Sequence, residues 1–425
     1  PPPPPPFFFH PQPPTPDPLW SRGLGDVYKR QIRDVSIPKK WDRKGLPSWT
    51  YKSKQLLEIE KESLFFNHWQ LICHQSDLSS VGDFLTFDLC NERILIIRDN
   101  ENFVRAFYNL CRHRGSRVMA NEKGNCTAIV CPFHGWVYNL DGTLRGASQP
   151  KSFPKFNKKD FGLKKIECEI FNGLVFIRLN KGPQKSVKSL MSPFSEELGS
   201  YKIDKMVPTD GIWTQRTEVN WKSVRDVDNE GYHVPMAHPS LQDLYGKNYF
   251  DEPFVNGISK THASFSGKTA RNWSVKNYKK LSTPASHLPD KYKNSWNYFG
   301  IFPNAVIAVT PETVQFYQEF PISTNLTLLR GSIYRHKNES RQQRIARYLS
   351  NRIDNHTVAE DVQLTIWSNE SMNSKSFEGF YLSDLEYGVK SHHDHMRKQI
   401  PILKIEKQPE AVSYTHLRAH ETRED

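Results

Sequence analysis

The sequence predicts an α+β protein in which an antiparallel β domain precedes a domain of sheet and long helices. Three observations support this prediction. Short β-rich runs separated by turn residues fill Trp69–Leu179, and a second group of such runs lies within Trp296–His336. The stretch Ser340–Ser371 then contains no Gly or Pro and carries apolar residues at helical spacing. An antiparallel sheet followed by long helices is expected to pack as separate layers on a common core.

The elements of the first half follow from the local pattern. Ser53–Phe66 intersperses apolar residues with Lys and Glu, as one amphipathic helix does. Four short β-rich runs follow: Trp69–His74, Asp83–Asp88, Ile94–Arg98 and Phe103–Tyr108. An Asp-Gly turn predicts a hairpin over Trp136–Thr143, and one or two strands over Cys168–Leu179 close this domain. We expect residues 32–180 to form the N-terminal segment and the first domain.

The second half begins after a basic linker, Lys181–Lys188. A strand is expected over Ile212–Trp221. Four further strands are predicted for the sheet: Trp296–Ile301, Ala305–Thr310, Val314–Pro321 and Thr327–His336. Ser340–Ser371 is expected to form one or two long helices that cover this sheet. Residues 181–411 therefore make up the second predicted domain.

The two ends are excluded from the predicted fold. Residues 1–18 are mostly proline with a Phe triplet, a composition that cannot build a core. Residues 19–31 and 412–425 resemble translated sequencing-adaptor read-through. We therefore treat 1–31 and 412–425 as extraneous segments, with disordered native tails as the alternative.

Composition limits the classes of protein to consider. A chain of 425 residues is long enough for two or three domains, and no run of about twenty apolar residues predicts a membrane helix. Six scattered cysteines argue against a secreted disulfide framework and favour a reducing cytoplasm. The formal charge of +12 is spread along the chain without a nucleic-acid-binding motif. We expect a solvated basic surface that can dock an acidic protein, and no nucleic-acid ligand.

Two Cys-His pairs form the most informative motif. Cys111 with His113, and Cys131 with His134, are separated by seventeen residues. Two thiolates and two imidazoles can hold one tetrahedral zinc, or a two-iron, two-sulfur cluster with both Cys on one iron and both His on the other. Zinc fingers usually pair Cys with Cys and His with His along the chain, so the cluster is favoured. Two other residues with metal-binding side chains are not assigned as ligands: His74 is interpreted as a strand histidine with an ordinary hydrogen bond, and Cys126 as packed.

A second motif lies in the stretch Asn220–Leu241. Its His233 and His238 are five residues apart, a spacing that an ideal helix places on different faces. Pro235 between them should break the helix, and the bend can bring both imidazoles onto one metal. Two His and one carboxylate form the facial triad of non-haem Fe(II) sites. The carboxylate candidates are Asp354, Glu360 and Asp361 in the predicted long helix, with Asp384 as the main rival.

Together, the two motifs resemble those of the Rieske non-haem iron oxygenase alpha subunits, the ring-hydroxylating oxygenase family. The resemblance rests on C-R-H-R-G and C-P-F-H-G-W at the Cys-His pairs and on N-W-K and E-x-Y-H-V-P-x-A-H-P around His233. It runs from about Trp41 to about Ile400. It implies a Rieske [2Fe-2S] cluster on the two Cys-His pairs. It also selects Asp361, the Asp of a Glu-Asp pair, as the third Fe(II) ligand.

The resemblance further implies a link between subunits. In the family, a carboxylate connects a cluster-binding His of one subunit to an iron-binding His of the next. The matching residue is Glu230, three residues before His233. Such a link requires a closed ring of chains, and we expect a homotrimer. Where many relatives carry Asn, this chain has Asp226, whose charge either favours a cationic substrate or is paired with Arg225.

The implied function is that of a terminal oxygenase. Electrons from NAD(P)H pass through a flavin and iron-sulfur reductase, with or without a ferredoxin, to the cluster and then to Fe(II), where O₂ is activated. The organic substrate undergoes aromatic ring hydroxylation or, if it is a quaternary amine, oxidative demethylation. Two alternatives stay open. An electron-transfer protein without oxygenase activity leaves Glu230–His238 unexplained, and a zinc-stabilised binding module requires no sulfide.

Overall fold

The fold was analysed in a computed structural model, which describes residues 37–282 and 287–409. The interpretations of residues 1–31 and 412–425 lie outside the described residues. In the described ranges, three antiparallel sheets are combined with helices, as the α+β prediction requires. None of the described helices combines the length and the apolar character that a bilayer crossing requires.

The strands of the first half form two sheets. They are β1 (Gln70–His74), β2 (Asp83–Leu89), β3 (Glu92–Arg98), β4 (Val104–Tyr108), β5 (Lys123–Asn125), β6 (Ile129–Val130), β7 (Val137–Tyr138), β8 (Leu144–Gly146), β9 (Lys165–Phe171) and β10 (Leu174–Arg178). The larger sheet has the order β1-β10-β9-β4-β3-β2-β5, and β6-β7-β8 form the smaller one. The four predicted runs correspond to β1–β4, and the predicted hairpin corresponds to β7 and β8.

The strands of the second half form one large sheet. They are β11 (Met206–Pro208), β12 (Trp213–Thr217), β13 (Tyr249–Val255), β14 (Ile258–Ser264), β15 (Ser295–Ile301), β16 (Ala305–Val309), β17 (Thr313–Ser323) and β18 (Leu326–His336). Their order is β11-β18-β17-β16-β15-β14-β13, and β12 pairs with β18. The four predicted sheet strands are confirmed as β15–β18. The strand predicted over Ile212–Trp221 is shorter, because Asn220 caps a helix that begins at Trp221.

Helices connect and cover the sheets. The α-helices are α1 (Lys54–Glu60), α2 (Val187–Met191), α3 (Ser195–Ser200), α4 (Trp221–Asp228), α5 (Val234–Ala237), α6 (Pro239–Tyr245), α7 (Trp273–Leu281), α8 (Asp290–Lys293), α9 (Arg341–Ser371) and α10 (Tyr387–Gln399). A π-helical segment, Lys61–Phe66, continues α1 and completes the predicted amphipathic helix. The predicted long helix is the single helix α9. Its start is fixed by a capping box between Ser340 and Gln343.

Apolar packing holds α9 against the large sheet and the helices around it. Ala346, Leu349 and Ile353 of α9 are buried with Trp296 of β15 and Leu244 of α6. The exposed side of α9 carries large residues such as Trp367, so one face of this helix is apolar and inward while the other meets solvent. This packing fixes which side chains of α9 turn toward α4, α5 and α6.

The two halves also share contacts. The Arg330 guanidinium of β18 donates to the carbonyls of Leu71 and Ile72 in β1, at 3.4 and 2.8 Å. The N-terminal segment packs on α10, where the amide of Leu46 donates to Nδ1 of His393 at 3.1 Å. The first sheet therefore has a fixed position against the second.

Candidate functional site

Two loops with the same backbone pattern carry the Cys-His pairs. In the loop after β4, the amide of Gly115 donates to the carbonyl of Cys111 at 3.0 Å. In the loop after β6, the amide of Gly135 donates to the carbonyl of Cys131, also at 3.0 Å. Both glycines have a positive φ, 73° and 68°, which residues with a Cβ rarely adopt. The repeated turn aims two Cys and two His from opposite sides at one place.

The four side chains meet at the tips of these loops. The imidazoles of His113 and His134 have ring centroids 4.6 Å apart. Burial raises the pKa of the Cys111 thiol, and the neighbouring Cys131 thiol raises it further. Both Cys are buried, whereas both His are partly exposed. The thiol end of the set therefore lies inside the domain and the imidazole end lies toward its surface.

The surroundings of these residues favour bound metal. The hydroxyl of Tyr138 lies 3.2 Å from Sγ of Cys111, and His113 stacks on Trp136 with ring centroids 5.2 Å apart. Nδ1 of His113 is buried and has no hydrogen-bond partner among the described residues. An unsatisfied buried imidazole nitrogen is costly, and metal coordination satisfies it.

The spread of the donors separates a cluster from a single ion. Across residues 37–282 and 287–409, the one group of three His, Cys, Asp or Glu donors within 4.8 Å of one another is His233, His238 and Asp361. No three donors of the Cys-His pairs converge to that extent. A tetrahedral zinc would hold its ligand atoms about 3.5 Å apart. The wider spread fits two irons that share the four ligands, two on each.

The predicted helix break forms the second site. Helix α5 is a single turn, Val234–Ala237, with Pro235 near its start. His233 immediately precedes this turn and His238 follows it. Their Nε2 atoms lie 3.0 Å apart. The break therefore brings together two imidazoles that a continuous helix would separate.

Asp361 of α9 reaches the same point. Its Oδ1 lies 2.9 Å from Nε2 of His238 and 3.5 Å from Nε2 of His233. The other candidates are elsewhere. Asp354 lies two turns earlier and accepts a hydrogen bond from Gln315. Asp384 forms an ion pair with an arginine of the N-terminal segment, with N and O atoms 2.8 Å apart.

A carboxylate orients each imidazole from behind. Nδ1 of His233 lies 2.5 Å from Oε1 of Glu230, and Nδ1 of His238 lies 2.8 Å from Oε2 of Glu360. Carboxylates at this position fix the ring orientation and the tautomer of metal-binding histidines. Glu360, a candidate ligand by sequence, thus supports a histidine. Its place beside Asp361 is the signal for this role, because successive helical residues point about 100° apart.

The group of three donors favours a positive charge. When both imidazoles are neutral and donate their Nδ1–H groups outward, two Nε2 lone pairs and Oδ1 of Asp361 face one another. Burial lowers the pKa of His233, but hydrogen bonds to Asp361 and Glu230 outweigh burial and raise this pKa to about 10. Two imidazoles and one carboxylate are the donors that non-haem Fe(II) sites use. The residues present therefore fit Fe(II).

Asp226 has a different role from either sequence expectation. Its Oδ1 accepts a hydrogen bond from Nε2 of His393 at 2.7 Å, and its Oδ2 accepts one from the Tyr51 hydroxyl at 2.5 Å. Arg225 instead forms ion pairs with Asp228, at 2.8 Å, and with Glu319. Asp226 therefore joins α4 to α10 and to the N-terminal segment.

Polar side chains from the sheet and the helices lie near one another on the side of α9 that carries Asp361. Asp354 and Asp361 of α9, Asp228 of α4, and Tyr298 and Tyr317 of the sheet all keep accessible surface. Burial nevertheless raises the pKa of both tyrosines. The three carboxylates act electrostatically on Tyr298, so they all face one region. Partial access combined with burial is expected of the walls of an internal cleft.

Two family models match the chain, one in each half. A model of the Rieske [2Fe-2S] domain matches residues 68–157, which include both Cys-His loops. A model of the ring hydroxylating alpha subunit (catalytic domain) matches residues 199–402, which include His233, His238 and Asp361. The chain belongs to the Rieske non-haem iron oxygenase alpha subunits. The predicted family, fold class and enzyme class are thus confirmed, with a [2Fe-2S] cluster, Fe(II) and O₂ as the implied cofactors and co-substrate.

Named relatives of this Rieske oxygenase act on quaternary amines. The carnitine monooxygenase oxygenase subunit of Escherichia coli (strain K12) is 26% identical over 309 residues, 71% of this chain and 79% of the relative. The glycine betaine monooxygenase oxygenase subunit of Pseudomonas aeruginosa (strain UCBPP-PA14) is 33% identical over 202 residues, 46% of this chain and 45% of the relative. A solved quaternary ammonium Rieske monooxygenase in complex with L-carnitine shares the fold, with a TM-score of 0.68 and 23% identity over 85% of this chain and 99% of that one.

Both domains of the Rieske oxygenase are accounted for by these matches. An electron-transfer protein would require only the first domain, and a zinc-stabilised module would require neither cluster nor Fe(II). The chain is therefore a terminal oxygenase subunit that takes electrons through a Rieske cluster and incorporates O₂ into an organic substrate.

Proposed function

We propose that this oxygenase oxidises a small quaternary ammonium compound at an Fe(II) held by His233, His238 and Asp361. The convergence of their three donor atoms within 4.8 Å carries the proposal. The two Cys-His pairs would hold the [2Fe-2S] cluster. We assign the cluster to a domain within residues 32–180 and Fe(II) to a domain within residues 181–411.

The role of the protein is to position these groups. When bound, the cluster supplies single electrons and Fe(II) supplies the site of O₂ activation. Glu230 and Glu360 hold the Nδ1 protons of His233 and His238, which leaves both Nε2 lone pairs turned inward. Buried aromatic residues such as Trp136 exclude water from the thiol side of the Cys-His pairs.

Glu230 would connect the two sites across a subunit boundary. Among the described residues, no hydrogen bond or ion pair joins the Cys-His loops to Glu230 or to the residues of the His-Asp group. Oε1 of Glu230 accepts from Nδ1 of His233, and Oε2 accepts from the amides of Tyr232 and His233. Oε1 has a second lone pair, which a cluster-binding imidazole of another chain can use. A homotrimer closes this head-to-tail contact with the fewest chains.

A cationic substrate is favoured over an uncharged aromatic ring. The named relatives act on carnitine and glycine betaine. Asp228 and Asp354 lie close enough to Asp361 for their charges to act on one another, and of these two only Asp228 is paired with an arginine in the described part of the chain. An apolar ring would desolvate these carboxylates without compensation, whereas a cation compensates them.

The electron donor would be a reductase that docks near the Cys-His loops. Arg112, Arg114 and Arg117 lie on or beside the first loop and keep exposed or partly exposed surface. This basic patch suits an acidic protein partner. We propose a flavin and iron-sulfur reductase that uses NAD(P)H, directly or through a ferredoxin, in the cytoplasm.

A substrate panel tests the proposed function. Purified protein loaded with iron and sulfide is supplied with an NADH-linked reductase and ¹⁸O₂, and products are identified by mass. Glycine betaine, L-carnitine and choline are compared with naphthalene and benzoate. We expect oxidation of at least one quaternary amine. One ¹⁸O atom enters as a hydroxyl on a carbon next to nitrogen, the bond from that carbon to nitrogen breaks, and the label leaves in the released aldehyde, which is trapped before its oxygen exchanges with water. Oxidation of the aromatic compounds with no turnover of any quaternary amine would overturn the substrate class but not the enzyme class.

A further inference from the structure

A narrow cleft lies between α9 and the large sheet. It is lined by residues of β15, β16 and β17 on one side and by Ser350, Asn351 and Asp354 of α9 on the other. Asp354 is seven residues before Asp361, so their Cα atoms are about 10 Å apart along one side of the helix. That separation is comparable with the length of a small organic substrate.

Asp354 is a carboxylate without a counter-charge. Its one hydrogen bond comes from Nε2 of Gln315 at 3.3 Å, and no Lys, Arg or His of the described chain forms an ion pair with it. Burial raises the pKa of Asp354 to about 6, and the charges of Asp361 and Asp228 add to this rise. A desolvated carboxylate beside other carboxylates is unfavourable unless a cation joins it.

Aromatic carbon surface lies opposite this carboxylate. Trp296 and Tyr298 of β15 line the same cleft. Their polar atoms are used elsewhere: Nε1 of Trp296 donates to the hydroxyl of Tyr278 at 2.9 Å, and the hydroxyl of Tyr298 lies 3.0 Å from that of Tyr245. What they offer the cleft is therefore ring surface. Aromatic rings next to a carboxylate attract cations that have no N–H to donate.

We propose that Asp354, with the rings of Trp296 and Tyr298, binds the quaternary ammonium head group of the substrate. The inference rests on the proposed function, because it presupposes a quaternary ammonium substrate. A trimethylammonium group donates no conventional N–H hydrogen bond, so charge and aromatic contact are the interactions that hold it. The carbons attached to a head group at Asp354 lie toward Asp361, where oxidation would take place.

Asp228 is the other carboxylate that could take this role. It accepts a hydrogen bond from the Tyr317 hydroxyl at 2.7 Å and pairs with Arg225 at 2.8 Å. Its charge is therefore partly compensated within the protein, by a guanidinium that also pairs with Glu319. Asp354 lacks such a partner, which is why the cation is assigned to it.

The test compares a quaternary ammonium head group with an uncharged tert-butyl group of the same shape. 3,3-Dimethylbutanoate replaces the quaternary nitrogen of glycine betaine by carbon and keeps the carboxylate. Calorimetric titration of both into the metal-loaded protein measures their dissociation constants. We expect Asp354→Asn to weaken the binding of glycine betaine roughly ten- to a hundredfold. The binding of 3,3-dimethylbutanoate should be unchanged or tighter. Asp354→Glu should restore part of the affinity for glycine betaine.

A matched control separates local charge from overall charge. Glu370→Gln makes the same change of charge at an exposed position near the C-terminal end of α9. It should alter neither dissociation constant. If Asp354→Asn fails to load its metals, Tyr298→Leu serves as the second variant. Tyr298→Leu should weaken the binding of glycine betaine at least severalfold more than the binding of 3,3-dimethylbutanoate, because cation–π attraction is lost.

The outcomes distinguish this inference from the proposed function. If quaternary amines are bound and oxidised, but a folded Asp354→Asn or Tyr298→Leu protein keeps the unmodified preference for glycine betaine, the head-group site is wrong and the function stands. If glycine betaine, L-carnitine and choline all fail to bind the unmodified metal-loaded protein, both are overturned.

Discussion

The two metal regions are built in opposite ways. The Cys-His donors come from two loops within Cys111–His134, and backbone hydrogen bonds with positive-φ glycines set their geometry. The proposed iron donors lie at the two ends of α5 and on α9, more than a hundred residues apart, and carboxylate side chains orient the two imidazoles. The first region is a local structure. The second exists only when α9 is packed correctly on its neighbours.

The largest expected effect separates the two regions completely. His134→Ala should remove the cluster but leave the His-Asp group able to bind iron, and His233→Ala should do the reverse. Unmodified protein should contain about three irons and two sulfides per chain. His134→Ala should keep about one iron without sulfide, and both variants should form no product. Loss of sulfide from His233→Ala would show that the regions are not independent.

The carboxylates of α9 should differ sharply from one another. Asp361→Ala should lose mononuclear iron and turnover while keeping the cluster spectrum. Glu360→Gln should keep the iron but bind it roughly ten- to a hundredfold more weakly, because the support of His238 is lost. Asp384→Asn, which alters an exposed ion pair, is the control and should bind iron normally. Iron loss from Asp384→Asn with retention in Asp361→Ala would contradict this assignment.

Glu230→Gln tests the connection between the regions. The amide keeps the size of the side chain and most of its hydrogen bonding but removes the charge that holds an imidazole N–H firmly. We expect both metal sites and the oligomer to be retained, with product formation reduced at least about tenfold. Rapid reduction of the cluster followed by slow, single-turnover product formation would locate the loss between the sites. Unchanged turnover would exclude a role for Glu230.

The smallest effect concerns the backbone of the cluster loops. Gly135 has a φ of 68°, and a Cβ there would meet no atom within 4 Å, so only backbone strain opposes a side chain. Gly135→Ala should therefore destabilise the cluster-bearing domain by about 1 to 2 kcal/mol. Gly146 lies in equally open space but has no positive φ, so Gly146→Ala should lower the free energy of unfolding by less. Urea unfolding followed by cluster absorbance measures both, and equal costs would argue against backbone control.

The same contrast explains what the sequence could predict. The Cys-His pairs and the strands β15–β18 were predictable because contiguous patterns define them. The helix break at Pro235 was predictable for the same reason. Asp361 needed the family resemblance, because helical periodicity alone did not separate it from Glu360.

Long-range contacts account for what the sequence did not predict. The supporting role of Glu360 depends on which way α9 turns when its apolar face is buried. The true partners of Asp226 are Tyr51 and His393, each more than 160 residues away, and no local pattern relates them. Asp354 was a candidate ligand by sequence, and only the packing of α9 on the sheet places it in a cleft.

The most direct test of this account is a mixture of two inactive chains. His134→Ala lacks the cluster and His233→Ala lacks mononuclear iron, so neither forms product alone. If the two regions work together across a subunit boundary, mixed oligomers should recover a measurable part of the activity of the unmodified protein. Co-assembled oligomers that form no product, with substrate and reductase that support the unmodified protein, would contradict the account.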